Sequence, residues 1–406
     1  MALIIQKYGG TSVATPEKIK AVAQRVAATK AEGNKVVVVL SAMAGETDRL
    51  IKLSRDTSID PDPRHQDLLV ATGEQVSVSL MAVALEELGI KAEPLLAHQV
   101  SIVTDNNHGR ARIRRIDTTR LLNIINDNKI PIVAGFQGVT EDGAITTIGR
   151  GGSDISAVAI AAALDAQTCD IFTDVDGVFT ADPGICEKSK KLSRISYEEM
   201  LELADTGAKV LHTRAVEIAA KYRVPIHVRS SFHDNDGTWV VPEEEIMEDT
   251  LVSGITCNLN EAKVAIRRVP DKVGITARIF EPIAKAGINV DMILQNVSAD
   301  GHTDLTFTVP KEDLKRAIAL AEVVARQVDA GKVEAAGDIA KISVVGVGMR
   351  SHAGIAHTMF DALAREGIAI QMIGTSEIKV SIVIDMKYAE LAVRTLHEAF
   401  KLDLRP

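Results

Sequence analysis

Val36-Val37-Val38-Val39-Leu40 is an unbroken apolar run with no polar alternate to turn towards water. A β-branched run of this kind is buried on both faces, which demands a parallel sheet with helices packed on either side. The neighbouring pattern supplies those partners. Leu3–Gln6 reads as a strand, and Pro16–Lys30 as a helix with Ile19, Val22, Ala23 and Val26 on one face. Leu68–Leu88 reads as one long helix ended by Gly89. Pro131–Phe136 and Cys169–Thr173 read as strands, with a helix over Ile155–Leu164 between them. A helix over Tyr197–Ala204 and a strand over Pro225–Val228 follow. The alternation predicts the α/β class: an open, doubly wound, mostly parallel sheet over residues 1–241.

A chain of 406 residues has room for about two or three domains. Aromatic residues make up 3% of it, so the cores must be aliphatic. Lys and Arg number 46 against 55 Asp and Glu, and the net charge of −9 argues against nucleic acid or an anionic membrane as a partner. Cys169, Cys186 and Cys257 stand apart with no CxxC, which supports neither a zinc ribbon nor a disulfide framework and points to a reducing compartment. Met1–Lys7 lacks a basic stretch before its apolar residues and reads as a strand, not a signal peptide. No apolar stretch reads as long enough to span a bilayer, so a soluble, cytoplasmic protein is expected. His65, His98, His108, His212 and His227 show no metal-ligand spacing and read as surface or satisfied core residues.

The acidic stretch Pro242–Asp249 reads as a linker, and beyond it an internal repeat begins. Ala262-Lys263-Val264 recurs as Ala340-Lys341-Ile342, and Gly274-Ile275 as Gly354-Ile355. The stretch from Ala286 to Ile293 is echoed from Arg365 to Ile373, and the strand Leu305–Val309 by Val380–Ile384. Helices over Glu312–Val328 and Tyr388–Phe400 close the copies. Two small α+β modules are therefore expected at 262–336 and 340–406. Residues 242–261 are left as a linker, with a spare strand over Leu251–Leu259 that fits either module's sheet.

Three loops carry chemistry. Lys7-Tyr8-Gly9-Gly10-Thr11-Ser12 lies where the first strand meets the first helix. Its glycines let backbone N–H groups approach an anion, and Lys7 can place its ammonium on the same anion. The Lys precedes the glycines, so this is not a P-loop; an ordinary glycine turn capped by Thr11 or Ser12 would look the same. Thr147-Ile148-Gly149-Arg150-Gly151-Gly152-Ser153-Asp154 repeats the arrangement before an apolar helix. Arg150 offers a planar fork for a carboxylate or phosphate, and Asp154 either caps the helix or binds an amine. Thr173-Asp174-Val175-Asp176-Gly177-Val178-Phe179 then continues to Asp182-Pro183, with three acids that suit a nucleotide and Mg²⁺ or, equally, plain turn chemistry. No Ser/His/Asp or Cys/His pattern accompanies these loops.

Together with Ser41-Ala42-Met43, Thr72-Gly73-Glu74, Gly135-Phe136-Gln137-Gly138 and the duplicated module, these loops resemble the aspartokinases of the amino-acid-kinase family, in order and over nearly the whole chain. The resemblance implies ATP-dependent phosphorylation of the β-carboxylate of L-aspartate, the first step towards lysine, threonine and methionine. It implies that the two modules are ferredoxin-like ACT domains binding lysine, threonine or both. Lys7 would stabilise the transferring phosphoryl group beside Tyr8, Gly9 and Gly10. Ser41, Thr47, Glu74, Arg150, Gly151, Gly152 and Ser153 fall at the aspartate-binding positions, and Asp154 would hold the substrate amine and order Lys7. Thr173, Asp174, Phe179, Lys209 and Val210 fall at the nucleotide positions, with ATP bound as its Mg²⁺ complex. Two departures stand out: Gly184 replaces the family's frequent Arg after Asp-Pro, and Val273 replaces its usual Pro.

For an effector, the resemblance points to Asp271, Gly274, Ile275 and Thr276 at a helix start and to Asn289, Val290 and Asp291 at a strand start. A buried amino acid needs an acid for its ammonium and helix N-terminal amides for its carboxylate, and Asp271 and Gln295 fit those needs. The second module has Ala369 and Gln371 where the first has Asn289 and Asp291. It is expected to complete a site across an interface through Ala356, His357, Ala369 and Ile370. The modules would otherwise serve as dimerisation sheets. Met247 is a candidate internal start for a regulatory-only chain, giving an α2β2 assembly in place of a homo-oligomer. Two rival functions remain: a glutamate or acetylglutamate kinase, and a catalytically dead amino-acid sensor. Arg150 with Glu74 favours a free α-amino acid, and the presence of Lys7, Arg150, Asp154 and Asp174 speaks against decay.

Overall fold

The computed structural model describes residues 2–208, 210–246, 251–296, 301–350, 352 and 354–404, so Lys209 and Met247 lie outside the described residues. The chain divides into two compact units. One comprises residues 1–179, 191–205 and 209–248; the other comprises 180–190, 206–208 and 249–406.

The first unit begins with β1 (Leu3–Tyr8), β2 (Lys35–Leu40), β3 (Ala92–Leu95), β4 (Ile102–Thr104), β5 (Ile113–Ile116) and β6 (Ile130–Ala134). It continues with β7 (Gln137–Val139), β8 (Ile145–Thr147), β9 (Thr168–Thr173), β10 (Arg194–Ser196), β11 (Ile226–Ser230) and β12 (Thr238–Val241). Eight of these form one sheet in the order β10-β12-β11-β9-β1-β2-β6-β3. Every neighbouring pair is parallel except β11 with β12. Val36–Leu40 lies in β2 and is buried throughout, as the run demanded. A separate small sheet, β5-β4-β7-β8, was not foreseen. Strands of three or four residues carry too little alternation to be read from sequence.

The helices of this unit are α1 (Pro16–Ala31), α2 (Glu46–Thr57), α3 (Pro63–Val70), α4 (Thr72–Glu87), α5 (Thr119–Asn126), α6 (Gly152–Ala163), α7 (Tyr197–Thr206) and α8 (Thr213–Tyr222). Thr15 caps α1 by accepting the Lys18 amide, so neither Thr11 nor Ser12 is the cap. The single helix expected over 68–88 is in fact two, meeting at Ala71. Taken together, Pro63–Glu87 is long and apolar enough to cross a membrane by length and composition, which corrects the sequence reading. Half of its most apolar stretch is buried in the protein interior, as in a core helix.

The second unit contains β13 (Gly254–Asn258), β14 (Glu261–Pro270), α9 (Ile275–Lys285), β15 (Ile293–Gln295), β16 (His302–Pro310), α10 (Leu314–Gln327) and β17 (Val333–Ala336). Its second half contains β18 (Ile339–Val345), α11 (Ile355–Arg365), β19 (Met372–Thr375), β20 (Lys379–Asp385) and α12 (Ala389–Ala399). The two sheets run β15-β16-β14-β17 and β13-β18-β20-β19. The spare strand thus joins the second module, antiparallel to β18, while β17 completes the first. Thr180–Lys190 also belongs to this unit. Its Ala181 and Cys186 pack with Ile342, Val344 and Leu396, and the Thr180 hydroxyl lies 2.9 Å from His397 Nε2.

Met292 and Met372, at equivalent positions of the repeat, meet with Ile339 and Val383 in a small core between the modules. Equivalent lysines cross the same seam: Lys263 donates to Gln371 at 2.5 Å, and Lys341 pairs with Asp291. The Lys341 side chain is only 2% exposed, whereas that of Asp291 is 36% exposed. Removing one partner of a buried pair costs about 3–5 kcal/mol, and the partial exposure of Asp291 lowers the expected loss for Asp291→Ala to about 2 kcal/mol. Lys341→Met should stay within about 1 kcal/mol of the parent, because it removes the charge together with its need for a partner. Denaturant melts of both variants and of the double variant measure this. Equal losses in the two single variants would show that the pair does not set the stability of the seam.

Candidate active site

Four strands end side by side: β6, β2, β1 and β9 are consecutive in the sheet and parallel, so the turns that follow them share one edge. That carboxyl edge is where ligands bind in open α/β sheets. Lys7, the next-to-last residue of β1, is fixed between Val39 of β2 and Ile171 of β9. Its ammonium meets Asp154 Oδ1 at 2.5 Å, and both residues are 8% exposed. The N-cap of α6 is Gly151 and Asp154 stands in the first turn, so its carboxylate serves Lys7 and is not the cap. Beside this pair, the Ser41 hydroxyl donates to Ser153 Oγ at 2.9 Å.

The glycines are present for close approach. A Cβ on Gly10 would lie 2.8 Å from the Ala42 carbonyl oxygen. Gly151 has φ +66°, and a Cβ there would lie 2.3 Å from His212 Cβ. Tyr8 departs from its expected place beside a nucleotide. Its ring is fully buried, stacked on Phe172 at 4.6 Å, with the hydroxyl donating to Gln6 Oε1 at 3.2 Å. Burial pushes that hydroxyl far above its ordinary pKa, and the side chain is closed to ligands.

Glu74 stands in the first turn of α4 and is 2% exposed. Oε1 accepts the Ala42 amide at 3.0 Å, while Oε2 is buried without a hydrogen-bond partner among the described residues. Burial raises its pKa from 4.5 to about 8, and the Ala42 amide offsets only part of the rise. A carboxyl in this state favours an incoming cation, which would supply the missing partner. Thr47 is half-buried in the first turn of α2, and Arg150 is exposed with no partner among the described residues.

On the far side of β1, Thr173 ends β9 and its hydroxyl donates to Asp174 Oδ1 at 3.1 Å. Ser231, which was not singled out from the sequence, donates its amide to the Thr173 carbonyl at 2.8 Å and places its hydroxyl 2.5 Å from Ser12 Oγ. It ties the turn after β11 to the first glycine turn. Phe179 and Val210 are half-buried, and no described contact joins them to Lys7 or Asp174. His212, read from sequence as a bland histidine, covers Gly151. Its Nδ1 accepts the Arg214 amide at 3.3 Å, and burial holds its pKa below the ordinary value.

In the second unit, Thr276 donates to Gln295 at 3.1 Å, so the helix start and the β15 strand of the first module do meet. Asp271, Gly274 and Asn289 are exposed, Val290 is half-buried, and Ile275 is buried in the module core. Asp291 is already paired with Lys341 and does not offer a free acid. In the second module Ala369 and His357 are exposed, while Ala356 and Ile370 are half-buried. Val273 is fully exposed.

The first unit thus carries two glycine turns and a buried Lys–Asp pair, and the second a duplicated βαββα module. The pattern of the amino acid kinase family matches residues 2–230, and that of the ACT domain matches residues 267–322 and 342–400. The aspartokinase of Pseudomonas aeruginosa is 52% identical over 407 residues, covering 99% of this chain and 98% of its own. That of Helicobacter pylori is 48% identical, covering 99% of this chain and all of its own. The crystal structure of E. coli aspartokinase III in complex with aspartate and ADP matches with a TM-score of 0.82 at 25% identity, covering 98% of this chain and 99% of that one. The chain belongs to the aspartate kinases of the amino acid kinase family.

Glu74 yields a prediction on stability. An acid whose folded pKa lies above its unfolded value withdraws stability as pH climbs between the two, here from 4.5 to about 8, and no further above that. Glu74→Gln has no such loss, so its melting temperature should gain on the parent from about pH 5 to about pH 8 and then hold a constant lead. A pH-independent difference would show that Glu74 is solvated and ordinary.

Proposed function

We propose that this chain transfers the γ-phosphoryl group of ATP to the β-carboxylate of L-aspartate, yielding 4-phospho-L-aspartate for lysine, threonine and methionine synthesis. The observation that carries the reading is the buried Lys7–Asp154 pair at the edge where two glycine turns meet. A carboxylate of reference pKa about 3.9 is already an anionic nucleophile at neutral pH and needs no general base. The barrier is repulsion between that anion and the phosphates, which positioned positive charge offsets. Lys7 supplies that charge, Asp154 orders it, and the amide of Gly10 assists, that of Gly9 being bonded to the Phe172 carbonyl at 3.3 Å. Arg150 takes the α-carboxylate and Glu74 the α-ammonium, with Ser41, Thr47, Gly151, Gly152 and Ser153 lining the substrate. Thr173, Asp174, Phe179, Val210 and Lys209 belong to the nucleotide side.

Mg²⁺ would arrive on the phosphates, where it neutralises charge. No group of three His, Cys, Asp or Glu side chains forms a metal cage among the described residues. The catalytic part is residues 1–241, and the ACT modules are 262–336 and 340–406. Feedback inhibition by lysine, threonine or both acts through the tandem, in a homo-oligomer or an α2β2 assembly. The lysine-and-aspartate complex of E. coli aspartokinase III, at a TM-score of 0.77 and 25% identity, supports lysine as an effector.

ADP release measured with ATP and L-aspartate, L-glutamate or N-acetyl-L-glutamate tests the substrate. Turnover is expected with aspartate, and turnover confined to either rival would overturn the assignment. Lys7→Ala should lower kcat about a thousandfold or more with the fold intact; a near-normal rate would show that the phosphate cradle is elsewhere.

Regulation yields a separate prediction. Thr306 lies in β16 opposite Leu294 of β15, next to Gln295. Thr306→Ile enlarges that position and should abolish inhibition by lysine and threonine while leaving the uninhibited rate within about twofold. Full inhibition of the variant by both amino acids would place the effector site away from β15.

A further inference from the structure

Arg150 is exposed and has no partner among the described residues, on a turn where Gly149 and Gly151 both have left-handed backbones, φ +90° and +66°. Nothing about Arg150 itself fixes where its guanidinium starts from. The two residues before the turn are held far more tightly. The Thr147 amide donates to Asp67 Oδ2 at 3.0 Å, and the Thr147 carbonyl accepts the Ala111 amide at 2.9 Å. The Ile148 amide donates to the Phe136 carbonyl at 2.8 Å, and the Ile148 carbonyl accepts from Arg214 Nη1 at 2.8 Å. All four backbone polar groups leading into the turn are therefore bonded, and two of the four partners are charged side chains.

Those two side chains reach further. Asp67, on α3 and 2% exposed, also accepts the Thr147 hydroxyl at 2.5 Å, His108 Nδ1 at 2.8 Å and the Gly109 amide at 3.0 Å. Gly109 in turn runs beneath the turn, its carbonyl oxygen 3.0 Å from where a Cβ on Gly149 would stand. Arg214, on α8, donates its second Nη to the Ala111 carbonyl at 3.0 Å. An acid on one helix and a base on another thus hold both the stem of the Arg150 turn and the 109–111 segment that supports it. Hydrogen bonds to ionised groups are the stronger kind, and a buried carboxylate with every lone pair engaged is a rigid anchor.

We propose that Asp67 and Arg214 are positioning residues that set Arg150 on its target, so that selectivity for the substrate's α-carboxylate depends on them although neither is assigned a substrate contact. This rests on the assignment of Arg150 to that carboxylate. Asp67→Asn replaces one accepting oxygen by a donor facing N–H groups, and Arg214→Met removes the fork on the opposite side while keeping its bulk. The substrate pair that reads the effect is L-aspartate against its α-amide, which keeps the β-carboxylate nucleophile and lacks the α-carboxylate.

The experiment measures kcat and KM for both substrates, and KM for ATP, in the parent, Arg150→Ala, Asp67→Asn and Arg214→Met. Asp67→Asn and Arg214→Met should each raise KM for aspartate about tenfold or more, with kcat and KM for ATP within about threefold. In both, the preference for aspartate over the α-amide should fall towards that of Arg150→Ala. In an Arg150→Ala background neither substitution should reduce the preference further. A structural role alone would lower the active fraction, and so kcat for both substrates equally, with the preference intact; that result overturns the inference while Arg150 keeps its role. If Arg150→Ala itself retains the parent's preference, the assignment of Arg150 falls, and the inference with it. Should Asp67→Asn fail to fold, Arg214→Met decides alone by the same readings.

Discussion

A lysine ammonium held against a carboxylate beneath two glycine turns is the feature from which the catalytic unit is best understood. Lys7 has little freedom: its backbone is locked in a central strand between parallel partners, and Asp154 holds its far end. A buried ion pair is a poor source of stability, since a packed apolar pair of similar volume does as well or better. Its value here is placement of a charge. The cost of burying the ammonium has been met during folding, so on the function proposed above the charge needs little reorganisation when anionic phosphates arrive.

Glu74 shows what the same construction does without a partner. Both Glu74 and Asp154 stand in the first turn of a helix, where the backbone dipole favours negative charge, and both are nearly buried. Asp154 has an ammonium at hand. Glu74 has one backbone amide and an unpartnered oxygen, and burial drives its pKa to about 8. The helix dipole and one hydrogen bond do not offset that desolvation. A ligand ammonium would, and its arrival would expel a proton from the carboxyl at neutral pH. Glu74 is thus short of one partner, while Arg150 stands exposed with none among the described residues.

Much of this was legible in the sequence because it rests on local chemistry. The central strand announced itself as a run of β-branched residues, and the glycine turns by their place between strand and helix. The repeat was visible because both copies must bury the same helix face. What escaped depended on distant partners. Tyr8 reads as part of a phosphate loop, yet β-strand alternation turns it inward onto Phe172, while Lys7 on the opposite face reaches Asp154. His108 and His212 looked unremarkable until the fold brought Asp67 and Gly151 to them. Thr180–Lys190 gave no hint of joining the second unit, since an Asp-Pro-Gly turn looks alike wherever it packs; there Gly184 donates to Asp182 within the turn.

The tandem module carries a further lesson about duplication. Its halves share a βαββα core, crossing lysines and seam methionines, but the residue each lysine meets differs: Asp291 for Lys341, Gln371 for Lys263. One arm of the seam is therefore an ion pair and the other a neutral amide contact to a charged lysine. The first arm neutralises the acid that the first module would otherwise present to a ligand ammonium. Asp271 of the same module is exposed. The second module has Gln371 at the corresponding strand position and so no acid there. The symmetry of the fold is conserved in packing and broken in charge.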